Sequence, residues 1–338
     1  MNAQWQSFLT HAGAEWTDAQ VAHFGNPEQE QQIVGNTETL CDLSQYGLLA
    51  VEGHDALSFL QAQLTQDLRD LESGQSRLSA YCNAKGQVLA IFRVWHHADG
   101  GYLWMPRSLL ESVQQTLSRY ILRAAVRLHI PQEGVTMGFA GTKAAQQLTQ
   151  CLGVSLPALE GLIQHEAFTV LALPGILPRY VIHGPVPAMQ SLWQSLLVNA
   201  VPVGANGWRL LDIRSAQPWI YPDTSGVFLA QMLNLHSLNA ISFTKGCYPG
   251  QEIIARLQYR GTLKQQLYRI HLDTQAAVMP GSLIFAAKAA QNSGQIIEAA
   301  PSPDGGVVAL AVMDTKAAEQ PLTLHEAHGP RIHQLEAV

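Results

Sequence analysis

Charge is scarce in this chain. Asp, Glu, Lys and Arg make up 14% of its 338 residues, against an apolar share of 47%. Long disordered tails need more charge and less apolar content than that. Basic side chains are the scarcer sign, 20 Lys and Arg against 26 Asp and Glu, for a net charge of −6. That balance excludes a broad phosphate-binding face, and no direct nucleic-acid binding is expected. Cysteine is sparse too: Cys41, Cys82, Cys151 and Cys247 form no Cys-x-x-Cys pair. A zinc ribbon or thioredoxin-type redox site therefore finds no support, and no metal site is assigned. No apolar run approaches membrane-spanning length, and Met1 to Trp16 lacks the unbroken apolar core of a signal peptide. A soluble, reducing, cytoplasmic setting with free thiols and no membrane partner is expected. Also missing are the phosphate-binding Gly-x-x-x-x-Gly-Lys-Ser/Thr loop, a Gly-x-Gly-x-x-Gly after a strand, and a Gly-x-Ser-x-Gly elbow.

What is present is enough chain for two or three domains. Residues 1–36, polar and Gln-rich around Asn26 to Gln32, read as a weakly ordered lead-in or an edge helix. Gly47 to Val51 is strand-like. Asp55 is placed to cap a helix whose Leu57, Leu60, Leu64, Leu68 and Leu71 recur at helical spacing, with Gly74 to end it. A hairpin follows, Arg77 to Cys82 and Val88 to Trp95 around Asn83-Ala84-Lys85-Gly86. Strands and helices alternate with hairpins, which predicts antiparallel α+β and not a doubly wound parallel sheet. After Gly261 helical periodicity fades into short strands split by Pro and Gly, which fits a small β-barrel or sandwich. His96-His97 and the C-terminal His325, His328 and His333 have no recognised metal spacing and read as surface histidines.

One stretch concentrates chemistry: Lys245-Gly246-Cys247-Tyr248-Pro249-Gly250-Gln251-Glu252, followed by Arg256 and Arg260. Cys247 stands between two glycines, where the backbone turns tightly or admits another group. With Lys245, Arg256 or Arg260 beside it, its thiol would be shifted toward thiolate; the competing reading is a small buried side chain in a turn. Gln251 and Glu252 suit ligand orientation or loop bracing. The two arginines suit either a carboxylate tail or ordinary salt bridges.

The octet resembles the Lys-Gly-Cys-Tyr-x-Gly-Gln-Glu signature of the YgfZ family, folate-binding relatives of the aminomethyltransferase of glycine cleavage. Phe59 to Leu68, Cys82 to Gly86 and Phe228 to Leu235 are similar to further segments of that family. The resemblance implies a GcvT-like three-domain ring. Residues 37–260 would form two interleaved antiparallel α+β subdomains, and 261–338 a C-terminal β-barrel, around a hole that accepts tetrahydrofolate or another reduced folate. It also implies aromatic contacts from Tyr46 and Trp208, and a ligand-side role for Tyr248, Gln251, Glu252, Arg256 and Arg260. The implied role is assembly or maintenance of iron–sulfur enzymes, including tRNA-modifying ones, with those enzymes or their assembly proteins as partners and Cys247, aided by Lys245, as the reactive thiol.

Two departures from the relatives matter. Aminomethyltransferases carry an acidic pair where this chain reads Gln87 to Ile91, without a carboxylate. Aminomethyl transfer, the alternative function, is therefore not expected. Where relatives place a pterin-gripping glutamate this chain has Arg214. Asp212 lies two residues earlier and would share a strand face, so it is assigned that contact instead.

Overall fold

The computed structural model describes residues 2–71, 74–98, 100–287, 291–326 and 329–338. In chain order its elements begin with α1 (Ala3–His11), β1 (Glu15–Thr17), β2 (Gln20–His23), α2 (Pro27–Ile33), β3 (Thr39–Asp42), β4 (Tyr46–Glu52) and α3 (Ala56–Gln63). There follow β5 (Ser76–Cys82), β6 (Val88–His97), β7 (Gly100–Pro106), α4 (Leu110–Ser118), β8 (Arg127–His129), β9 (Val135–Ala140) and α5 (Ala144–Leu152). Next come β10 (Leu162–His165), β11 (Phe168–Leu173), β12 (Arg179–Gly184), α6 (Val186–Leu196), β13 (Val201–Val203), α7 (Ala205–Arg214) and α8 (Gln251–Arg260). The chain ends with β14 (Gln265–Leu272), β15 (Leu283–Ala286), β16 (Gly294–Pro301), β17 (Val307–Asp314), β18 (Leu322–Leu324) and β19 (Arg331–Ala337).

Two sheets share one run of chain. β3 belongs to a six-stranded sheet, β10-β11-β12-β9-β3-β13, yet β4 opens a five-stranded sheet, β5-β6-β7-β4-β8. The chain then returns to the first sheet at β9, so the two α+β units are interleaved. β3 and β13 run parallel, whereas β9 pairs antiparallel with both β3 and β12. β4 is buried from Tyr46 through Val51; with both faces covered, it reads as an apolar run and not as an alternation.

β14 to β19 close a six-stranded barrel. Ile270, Ile284, Ile296 and Ala309 fill its own core, while Leu267, Ile297, Leu310 and Val312 join the main core outside it. That alternation follows the two-residue period of a strand, and it fuses one outer face of the barrel to the rest of the molecule. α7 sits at the junction, packed against β2, β3, β16 and β17. Seven of its ten residues are buried, so it is a core helix without a broad solvent face.

Three local expectations are corrected. Of the two readings of residues 1–36, weak order is not what forms: they hold helices α1 and α2, Asn2 caps α1, and Trp5, Leu9 and Val21 are buried in the core of the six-stranded sheet. The Trp5 indole N–H also donates to Asp42 at 2.8 Å. The leucine-spaced helix stops at Gln63, well before Gly74. Thr65 N–H donates to Ala80 O, which draws the chain toward β5, and Asp55 accepts from Ala125 N–H instead of capping α3. Finally, Asp212 and Arg214 lie on α7 and not on a strand. A separation of two residues on a helix turns side chains to different faces; Asp212 is buried, and Arg214 reaches out to Val34 O at 3.0 Å.

Candidate functional site

The chemistry-bearing residues fall into two groups. The first is the octet loop. Gly250 precedes α8 with φ +81°, and a Cβ there would lie 2.6 Å from Asn83 O and 2.7 Å from Gly86 N. Only glycine lets the loop seat itself on the β5–β6 turn. That turn is itself fixed by the Asn83 side chain, which accepts from Lys85 and Gln87 N–H. Phe228 O accepts from Val88 N–H at 2.8 Å, and Gln231 Nε2 donates to Ile254 O at 2.6 Å. The hairpin turn, the Phe228–Leu235 run and the octet are thereby joined in one assembly.

Within it Lys245 is buried, and Nζ donates to the carbonyls of Gln61, Leu64 and Gln66 at 2.6, 2.6 and 2.9 Å. It therefore closes the C-terminal end of α3, where unpaired carbonyls and the helix dipole favour a cation. Burial brings the Lys245 ammonium down to about 8. The Tyr248 ring lies 5.3 Å below Nζ, a cation–π contact that buries the phenol. Burial pushes that phenol above its ordinary range, and its hydroxyl has no hydrogen-bond partner among the described residues. Gln251 Nε2 donates to Lys245 O at 3.4 Å, so it braces the loop. Cys247 is exposed at the surface of this assembly. Glu252, Arg256 and Arg260 are exposed too, four residues apart along one stripe of α8.

The second group surrounds Asp212. Its Oδ1 accepts from Arg179 at 2.6 Å; its Oδ2 accepts from the Tyr46 hydroxyl and the Trp219 indole, each at 3.1 Å. Burial raises the Asp212 carboxyl, while Arg179, Trp219 and Tyr46 pull it back down. The Tyr46 ring packs 4.5 Å from Trp104 and 5.3 Å from Trp219. Trp208 lies beneath the Arg179 guanidinium, 5.7 Å away, and against Gly138, where a Cβ would come 2.4 Å from the indole. The indole N–H groups of Trp104 and Trp208 have no partner among the described residues. Arg93 is buried nearby, 3.6 Å from Glu160.

No hydrogen bond, ion pair or ring contact links the two groups among the described residues. They meet only through the shared core, to which Tyr46, Trp208, Tyr248 and Ile254 all belong. Arg93, Arg179, Trp104 and Trp219 were not singled out by the sequence. The available signal was an arginine amid the apolar run Val88 to Trp95 of β6 and another at the start of β12, ahead of Tyr180 to Ile182. Of the histidines, His328 lies outside the described residues. Among those described, no three His, Cys, Asp or Glu side chains gather as metal ligands. No described helix is long and apolar enough to cross a membrane.

Residues 1–176 match the family model described as the GCVT N-terminal domain. The tRNA-modifying protein YgfZ of Klebsiella pneumoniae (strain 342) is 30% identical over 292 residues, covering 85% of this chain and 89% of that protein. The tRNA-modifying protein YgfZ of Colwellia psychrerythraea is 29% identical over 277 residues, 81% of this chain and 85% of the relative. Among solved structures, the glycine cleavage system aminomethyltransferase T from Bartonella henselae superposes with a TM-score of 0.80. That match covers 98% of this chain and 94% of the other at 16% identity, which shows a common fold alone. With the octet intact on this scaffold, the chain belongs to the YgfZ family.

Proposed function

We propose that this protein binds a reduced folate and supports the assembly or maintenance of iron–sulfur enzymes, tRNA-modifying ones included, through the Cys247 thiol. The observation that carries this reading is an exposed sulfhydryl on a loop fastened from beneath by Lys245, Tyr248, Gly250 and Gln251. Such a thiol is held still while remaining open to a partner, which is what accepting or shielding a sulfur, iron or one-carbon species requires. The curated relatives are named for tRNA modification, which supports the same assignment, as does the absence of a carboxylate from Gln87 to Ile91.

The buried group around Asp212 fits a folate in its donors. The free indole N–H groups of Trp104 and Trp208 and the buried Arg93 guanidinium can serve ring or amide carbonyls. Tyr46 and Trp208 supply flat faces, and Arg256 and Arg260 supply guanidinium forks for a glutamate tail. Asp212 would take the pterin edge by exchanging one of its present donors. Tyr46, Trp208 and Asp212 are all buried, so entry requires side chains to move. When bound, the folate supplies a carrier for a one-carbon unit.

The test is replacement of Cys247 by Ala in cells lacking the wild-type protein, followed by assay of iron–sulfur enzyme activity. Loss of rescue is expected; full rescue refutes the thiol role. Tetrahydrofolate is expected to bind in a calorimetric titration, and its turnover with an aminomethyl donor to be undetectable. Turnover would establish the transferase alternative.

A further inference from the structure

A cavity of about 510 Å³ opens between the β1–β2 turn, α7, the barrel strands β16 and β17, and the 274–280 loop. Its volume lies within the ~300–1,000 Å³ of small-molecule sites. Val278, Ala300 and Val307 give it apolar walls, and one polar cluster faces them: Arg209, Tyr221 and Glu298.

That cluster is built and incomplete. Arg209 donates to Asn206 Oδ1 at 2.7 Å and to Gln20 Oε1, and its Nε stands 3.6 Å from Glu298 Oε1. The Tyr221 hydroxyl donates to the same Oε1. Glu298 is 1% exposed, and its other oxygen, Oε2, has no hydrogen-bond partner among the described residues. A register shift between Ile296 and Glu298 sets this carboxyl against the cavity instead of leaving it to the alternation of the strand. A buried carboxyl with one oxygen unused is costly unless something completes it. At the rim stands a second acid, the exposed Asp18. With Arg209 already matched, an anionic ligand would meet two acidic side chains and no free cation among the residues that line the cavity.

We propose that this cavity is a binding site for a small organic cation, a primary amine on an apolar body. The ammonium donates to Glu298 Oε2 and displaces to solvent the proton that burial holds on this carboxyl near neutral pH, and the body lies on Val278, Ala300 and Val307. The site is separate from the residues assigned to folate, and its test involves none of them.

The probe is benzylamine, titrated into the full chain near neutral pH by calorimetry and ligand-observed NMR, with benzyl alcohol as the neutral analogue of equal shape. Saturable benzylamine binding is expected, with benzyl alcohol weaker by about tenfold or more. Glu298→Gln should weaken benzylamine by about tenfold or more as well. Ala277→Trp, an exposed rim position, should block entry without disturbing the fold, and it decides the matter if the Glu298 variant does not fold. The proposal is overturned if benzylamine shows no binding at about 10 mM, if the alcohol binds equally, or if Ala277→Trp leaves binding unchanged.

Discussion

At the scale of single residues, Lys245 illustrates what the sequence conveys and what it hides. Its presence beside Cys247 was plain, because the octet is contiguous. Its work was not, because the three carbonyls it serves belong to the end of α3 and the residues just beyond, far away in the chain. The three acceptors make the ammonium a fastener for the loop, and the expectation that follows is that it does not set the reactivity of the neighbouring thiol. Lys245→Met should therefore cost about 2–4 kcal/mol of stability, since buried carbonyls lose a charged donor. Chemical denaturation measures that. The labelling rate of Cys247 by a thiol reagent in the native protein should stay within about twofold of the parent's. Tyr46, Trp208 and Asp212 could be named from family resemblance, but their mutual contacts depend on strand pairings that no local pattern encodes.

At the scale of elements, the glycines of the octet separate by geometry. Gly250→Ala forces a Cβ into the β5–β6 turn and into an unfavourable φ, so it should destabilise by about 2 kcal/mol or more. A Cβ on Gly246 meets nothing within 4 Å, and Gly246→Ala should stay within about 0.5 kcal/mol of the parent. Equilibrium unfolding of the two variants side by side checks the contrast. Element types were legible wherever a period ran unopposed, as in the β5–β6 hairpin. They failed where tertiary bonds intervened. The leucine spacing continues past Gln63, yet Thr65 pairs with β5 and the Lys245 ammonium closes the helix. At β16 the two-residue alternation of a strand breaks at a register shift between Ile296 and Glu298, and Glu298 is buried as a result.

At the scale of the whole molecule, the barrel meets the rest partly through that glutamate and α7. Burial pushes the Glu298 carboxyl up from 4.5 to about 8. The native state thus holds this proton more tightly than the unfolded chain, and its contribution is fully present below about pH 4.5 and lost as pH rises through 8. Stability should decline across that window with a slope of order 1.4 kcal/mol per pH unit from this group. Denaturation midpoints measured at intervals between those limits should slope less in Glu298→Gln. A rising midpoint in the parent, or identical slopes, would contradict the assignment. The α+β class was legible from alternating elements and the barrel from its Pro and Gly turns, but the interleaving came only with the family likeness. The cause is physical: β3 and β13 are parallel neighbours separated by most of both sheets, and periodicity says nothing about so distant a partner. The same threading bears on any attempt to isolate the part that matches the GCVT N-terminal domain. That part stops at residue 176, before β12 and β13 have been supplied. A polypeptide severed there would strip β9 and β3 each of a neighbour and cut the β10–β11 hairpin adrift, since β12 alone bridges it to β9. Bared margins of that kind recruit other chains, so the sequence match delimits a kinship and not a piece able to stand by itself.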